Sequence, residues 1–156
     1  MSSITSAKVV AISGRDVISI NIPSSFLETT VSHGDSGVDA SEYGHAVIIF
    51  TPSTRIIKIY PSKSPEVARI EVSIGELTPD FLQDVSSIFL ETGIKTLYST
   101  GVCFTSEACL YEVYADKHDL PATISVEELS NRLSEIRGVS DVKIEFLSPD
   151  DKWEQA

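Results

Sequence analysis

Cys103 and Cys109 are the two cysteines of the chain. A hairpin turning at Ser106 sets them almost opposite each other. That spacing allows a cross-strand disulfide or a redox pair. The plainer reading, preferred here, is two small buried apolar side chains in a reducing cytosol. Two cysteines cannot build a disulfide framework. His33, His45 and His118 are scattered, with no His-x3-His pair, so they read as unrelated surface or loop histidines rather than metal ligands. There is no Gly-x-Ser-x-Gly elbow, no glycine-rich phosphate loop, and no cysteine set beside a suitable histidine and acid. No catalytic residue, cofactor or metal is therefore expected. Glu127, Glu128 and Glu135 read as a solvated helix face. Phe81, Phe89 and Trp153 read as packing rather than a stacking platform.

Charge gives a second set of candidates. The 156 residues carry 23 Asp+Glu against 12 Lys+Arg, a net of −11. A free-standing nucleic-acid binder usually needs a basic face, and this total argues against that use. The charge is uneven. Residues 1–66 hold five cations and six acids, whereas residues 67–156 hold seven and 17. The five are Lys8, Arg15, Arg55, Lys58 and Lys63. In a dimer they double, and on one face they would contact phosphates with a steep salt dependence. The plainer reading is ordinary solubilising charge. At 42% hydrophobic residues the chain is no disordered polyelectrolyte. No apolar run approaches the ~18 residues of a membrane helix. Residues 1–12 lack a signal-peptide core, so a cytoplasmic chain without a membrane partner is expected.

The elements that position these residues fall into two halves. Pro61-Ser62-Lys63-Ser64-Pro65 is a poor strand or helix interior and reads as a linker. The expected division is a β domain over 1–61, a linker over 62–66, an α+β domain over 67–147 and a polar, frayed tail over 148–156. In the first half Val9, Ile12, Val17, Ile18, Ile20 and Ile22 predict two strands around a Gly14-Arg15-Asp16 turn. Pro23 stops the second, and residues 23–28 suit one helical turn. Residues 31–44 read as loop. Residues 46–50 and 55–60 flank Thr51-Pro52-Ser53-Thr54 as a hairpin. Four strands in so short a segment leave apolar surface over, which dimerisation would cover.

The second half alternates. Ala68, Ile70, Val72 and Ile74 face one way along a strand and Arg69, Glu71 and Ser73 the other. Thr78 caps a helix with Pro79 at its first position, and Gly93 ends it. Residues 94–103 and 108–115 form a hairpin. Ser125 and Glu128 open a second helix that Gly138 closes. Val142, Ile144 and Phe146 alternate along a last strand. The order is β-α-β-β-α-β.

Two resemblances follow. Residues 67–147 resemble an ACT domain in element order, in the Ile74-Gly75-Glu76-Leu77-Thr78-Pro79 loop, and in Thr92-Gly93-Ile94 before the second strand. The resemblance implies a ferredoxin-like domain that pairs side by side and binds a small ligand, often an amino acid, beside the first strand-to-helix loop. The candidates are Gly75, Glu76, Leu77, Thr78 and Asp80. A helix N-terminus offers N–H groups to a carboxylate, and glycine permits close approach. Glu76 and Asp80 suit an ammonium group. The plainer reading is a capped strand–helix connection. Residues 7–61 resemble an AbrB/MazE-type swapped-hairpin domain. The stretch is Gly14-Arg15-Asp16-Val17-Ile18-Ser19-Ile20-Asn21-Ile22-Pro23, then Ser24-Ser25-Phe26-Leu27 and His33-Gly34-Asp35, with 36–43 inserted. That resemblance implies two interleaved chains and DNA contact through basic loops.

Together these readings predict an α+β chain of two small domains. They describe a homodimeric or larger ligand-responsive regulator of transcription, with DNA and a small molecule as partners. The alternatives are a non-catalytic assembly module, or a regulatory subunit of an enzyme, without DNA binding.

Overall fold

The computed structural model describes residues 3–21 and 43–152. Ile22, the helical turn over 23–28, His33, the insertion up to residue 42 and Trp153 lie outside the described residues. The chain is α+β, with two antiparallel sheets and two helices among the described residues. It divides into two compact units: residues 1–67 with 147–156, and residues 68–146.

The first unit holds β1 (Ser6–Ala11), β2 (His45–Thr51) and β3 (Ile56–Ser62), in the order β1-β2-β3. Ile48, Phe50 and Ile57 form one apolar cluster, with Val10, Ile20 and Ile59 against it, and Val9, Val47 and Ile49 are buried as well. The predicted second strand is corrected: residues 17–21 carry no strand, and Val17 is 76% exposed. The ladder ends where Ile12 and Ser13 both donate their N–H to the Gly44 carbonyl. Residues 13 and 14 then turn the chain out of the sheet. The β2–β3 loop sits one residue later than expected, because Thr51 pairs with Ile56 and Arg55 takes a positive φ of 54°.

The expected linker is shorter too. Pro61 and Ser62 stay in register with Ala46 and His45. β3 is an edge strand, where proline's missing donor is tolerated. Ser64 then organises the exit, accepting from the Ser62 hydroxyl and, through its own hydroxyl, from Glu66 N–H. Within the tail, Pro149 and Asp151 are bonded to β1. Lys8 Nζ donates to the Pro149 and Asp151 carbonyls, and Ser148 N–H to the Asp151 carboxylate.

The second unit holds β4 (Val67–Ile74), α1 (Pro79–Thr92), β5 (Tyr98–Thr105), β6 (Ala108–Asp116), α2 (Val126–Ser134) and β7 (Val139–Leu147). The strand order is β5-β6-β4-β7. Ile70, Val72 and Ile74 of β4, with Val113 and Ala115 of β6, share one core with Phe81, Val85, Ile88 and Phe89 of α1 and Leu129 and Leu133 of α2. Both helices therefore cover the same face of this sheet.

The helix ends follow from their sequences. The Thr78 hydroxyl accepts from Phe81 N–H at 3.1 Å, and the Ser125 hydroxyl from Glu128 N–H at 3.0 Å. Gly93 is left-handed at φ 74°, with its N–H on the Leu90 carbonyl and Ile94 N–H on the Phe89 carbonyl. That is a Schellman stop, and β5 begins at Tyr98 rather than at Ile94. Gly138 does not close α2, which ends at Ser134. It makes the turn into β7 at φ 91°.

Two expectations about side chains are corrected. Arg69, expected on the solvent side of β4, is only 1% exposed. Its guanidinium lies 2.9 Å from Glu71 and 2.8 Å from Glu145, which compensates the buried charge. The preferred reading of the cysteines as separate apolar side chains also fails. Cys103 and Cys109 are register partners and are joined as a disulfide, with Cα atoms 3.9 Å apart.

Candidate functional site

A cleft of about 540 Å³ opens at the N-terminal end of α1. Its lining includes Ile74, Phe81 and Gly138 among less polar groups, and Glu76, Thr78, Asp80, Gln83, Asp84 and Arg137 among polar ones. Phe81 is buried and meets Tyr111 edge-on at 5.6 Å, so that wall is held by the core. The β4–α1 connection supplies Glu76, Thr78 and Asp80. The first turns of α1 supply Gln83 and Asp84. The α2–β7 turn supplies Arg137 and Gly138.

Three of the five expected loop residues line the cleft. Leu77 packs on the core instead, near Gly101. Gly75 lies behind the loop, where its N–H donates to the Gly138 carbonyl at 3.3 Å. A Cβ at Gly75 would meet nothing closer than the Glu107 carbonyl at 3.6 Å, so glycine is not required there for space.

The helix N-terminus is less open to an anion than its sequence suggests. Pro79 has no N–H. Phe81 N–H is taken by the Thr78 hydroxyl and Leu82 N–H by the Thr78 carbonyl. Of the first turn, Asp80 N–H remains. The stronger anion ligand in the cleft is Arg137, whose planar fork suits a carboxylate. Sequence reasoning missed Arg137 because it belongs to a turn 57 positions further along than Asp80. The Arg137-Gly138 step was its only local signal. The cleft thus combines one guanidinium with three carboxylates over a partly apolar wall. That set can orient a small molecule carrying both a carboxylate and an ammonium group.

The five candidate cations do not form one patch. Lys8 pairs with Ile48, which pairs with Ile59, whereas Lys58 is the next residue along β3. Side chains alternate along a strand, so Lys8 and Lys58 project from opposite faces of the sheet. Lys8 is engaged with the tail carbonyls. Arg55 donates to the Pro52 carbonyl at 2.9 Å. Lys63 lies 5.6 Å from the centre of the Tyr43 ring. Arg15 is exposed beside the Gly14 turn.

His45 lies in β2, and His118 follows β6, its N–H donating to the Asp116 carboxylate at 3.0 Å. Among the described residues no group of three or more His, Cys, Asp or Glu could hold a metal ion. No helix among them is long and apolar enough to cross a membrane. No protein-family model matches the sequence, and no curated protein is significantly similar to it.

Proposed function

We propose that this chain is a ligand-responsive regulator whose 68–146 unit binds a small zwitterionic metabolite of the amino-acid class. The observation that carries the reading is the convergence of Arg137 with Glu76, Asp80 and Asp84 in one cleft. Arg137 takes the carboxylate of the ligand, and the acidic side takes its ammonium group. The β-α-β-β-α-β order and the β5-β6-β4-β7 sheet support the ACT-like reading of this unit. In this reading the chain is a cytoplasmic, non-catalytic homodimer. A ligand that prefers one dimer arrangement shifts the population that fits the partner. The AbrB-like unit is that partner-binding part. Its contact with DNA falls to the cations of the first unit, of which Arg15 is exposed beside the Gly14 turn.

The test is a thermal-shift screen against the twenty amino acids, followed by calorimetric titration of any hit. One class of amino acid should raise the melting temperature with concentration. Arg137→Ala should weaken its binding at least about tenfold, the cost of one charge-assisted hydrogen-bonded pair. A flat screen into millimolar ligand, or unchanged affinity in Arg137→Ala, removes the reading.

A second reading, an assembly module without ligand, is favoured by one observation. Leu82 and Leu90 on α1 are 43% and 82% exposed. Sedimentation separates the two. A ligand-free oligomer that Leu90→Lys dissociates, together with a flat screen, supports assembly.

A further inference from the structure

We propose that the Cys103–Cys109 bond is a thiol–disulfide exchange site, opened by a dithiol reductant, whose state is read by the Gly75 loop beside the cleft. The two sulfurs are not equivalent. Cys103 is exposed on β5, an edge strand of its sheet, while Cys109 is 1% exposed inside the core. An incoming thiolate therefore reaches the Cys103 sulfur.

The exchange balances in two steps. The thiolate bonds to Cys103 Sγ, the S–S bond breaks, and its electron pair leaves on Cys109 Sγ, which takes up a proton. The second thiol of the reductant, deprotonated, then attacks the reductant's first sulfur, displaces Cys103 as a thiolate that takes up that proton, and closes the reductant's own disulfide. The protein disulfide is reduced to two thiols, and the dithiol is oxidised by the same two electrons.

The buried sulfur sits against the loop. Cys109 Sγ lies 3.7 Å from the Gly75 carbonyl oxygen. In the disulfide this sulfur carries no hydrogen. As a thiol it carries one, facing that carbonyl as a weak donor. Gly75 is held from two sides. The hairpin tip places the Glu107 carbonyl 3.6 Å from where a Gly75 Cβ would be, and the Gly138 carbonyl takes the Gly75 N–H. Glu76, Thr78 and Asp80 follow directly and line the cleft, as does Gly138. Reduction thus adds a donor to the loop and removes the cross-link that closes the hairpin over Thr105-Ser106-Glu107-Ala108. The hairpin is already irregular there, with a register shift between Cys103 and Thr105 and Phe104 48% exposed. As regulation of ligand affinity the proposal rests on the cleft reading, whereas the disulfide and its effect on the loop do not.

The test uses the full chain without any ligand, so it stands or falls apart from the amino-acid screen. Alkylation and intact mass should find no free thiol before dithiothreitol and two after it. In amide correlation spectra of the folded protein, reduction should move the Gly75, Glu76 and Gly138 signals. The single-cysteine variant Cys109→Ser, keeping Cys103, should react with an aromatic disulfide at least about tenfold faster than Cys103→Ser. The proposal is overturned by two alkylated thiols without reductant, by unmoved Gly75 and Glu76 amides, or by faster reaction at Cys109. The spectra need no substitution, so they decide the matter even where a variant does not fold.

Discussion

Removing the Thr78 hydroxyl tests whether the wall of the cleft is set by a helix cap. In Thr78→Ala, Phe81 N–H loses an acceptor at 3.1 Å. Pro79 has no N–H, so the first turn has few other donors to lose. The lost bond belongs to the range of N-cap deletions, about 1 kcal/mol. For a unit the size of residues 68–146, that free energy lowers the melting temperature by roughly 4–8 °C. Both helices among the described residues lie in this unit. Helical circular dichroism followed on heating therefore reports its melting. Thr78→Ser keeps the oxygen and should stay within about 2 °C of the wild type. Thr78→Ala also frees Phe81 N–H at the edge of the cleft, which adds a donor for an anion. The variant should therefore bind a carboxylate ligand no more weakly than wild type despite its lower stability. A fall under about 2 °C in Thr78→Ala, or an equal fall in Thr78→Ser, refutes the capping argument.

Arg69→Met removes the buried guanidinium shared by Glu71 and Glu145, while Lys143 stays 3.7 Å from Glu145. Those carboxylates keep 14% and 25% exposure, so the cost should sit at the low end for a broken buried pair, about 3 kcal/mol by urea unfolding. Adding Glu71→Gln and Glu145→Gln should restore most of it, and a triple variant no more stable than the single one contradicts the pairing. The two glycines at the back of the cleft should behave differently. Gly138→Ala forces an L-residue to φ 91° and should cost about 1–2 kcal/mol. Gly75→Ala meets only an ordinary contact and should stay within about 0.5 kcal/mol. Equal losses in the two variants would show that the Gly138 backbone is not the constraint.

Much of the 68–146 unit is legible in the sequence because its signals are local. Thr78 before Pro79, Ser125 before Glu128, and Gly93 after the apolar face of α1 each act within one helical turn. Strand alternation in β4 and β7 likewise needs only neighbours. The first unit is less legible for the same reason. Val17, Ile18 and Ile20 have the composition of a strand, but a strand also needs a ladder partner. The bonds to the Gly44 carbonyl end that ladder at Ser13. Pro61 looked like a break because proline lacks a donor. It stays in β3 because an edge strand can leave that position unpaired.

The sequence by itself determined where the helices start and stop, which strands alternate, and that a capped loop stands between β4 and α1. Only the tertiary structure decided what faces that loop. Arg137 reaches the cleft because β7 lies beside β4 in the sheet, and Cys109 reaches Gly75 because β6 lies on β4's other side. Strand order joins residues far apart along the chain, and no local propensity encodes it. The same holds for charge. Lys8 and Lys58 count alike in a composition, but the period-two alternation and the β1-β2-β3 register send them to opposite faces.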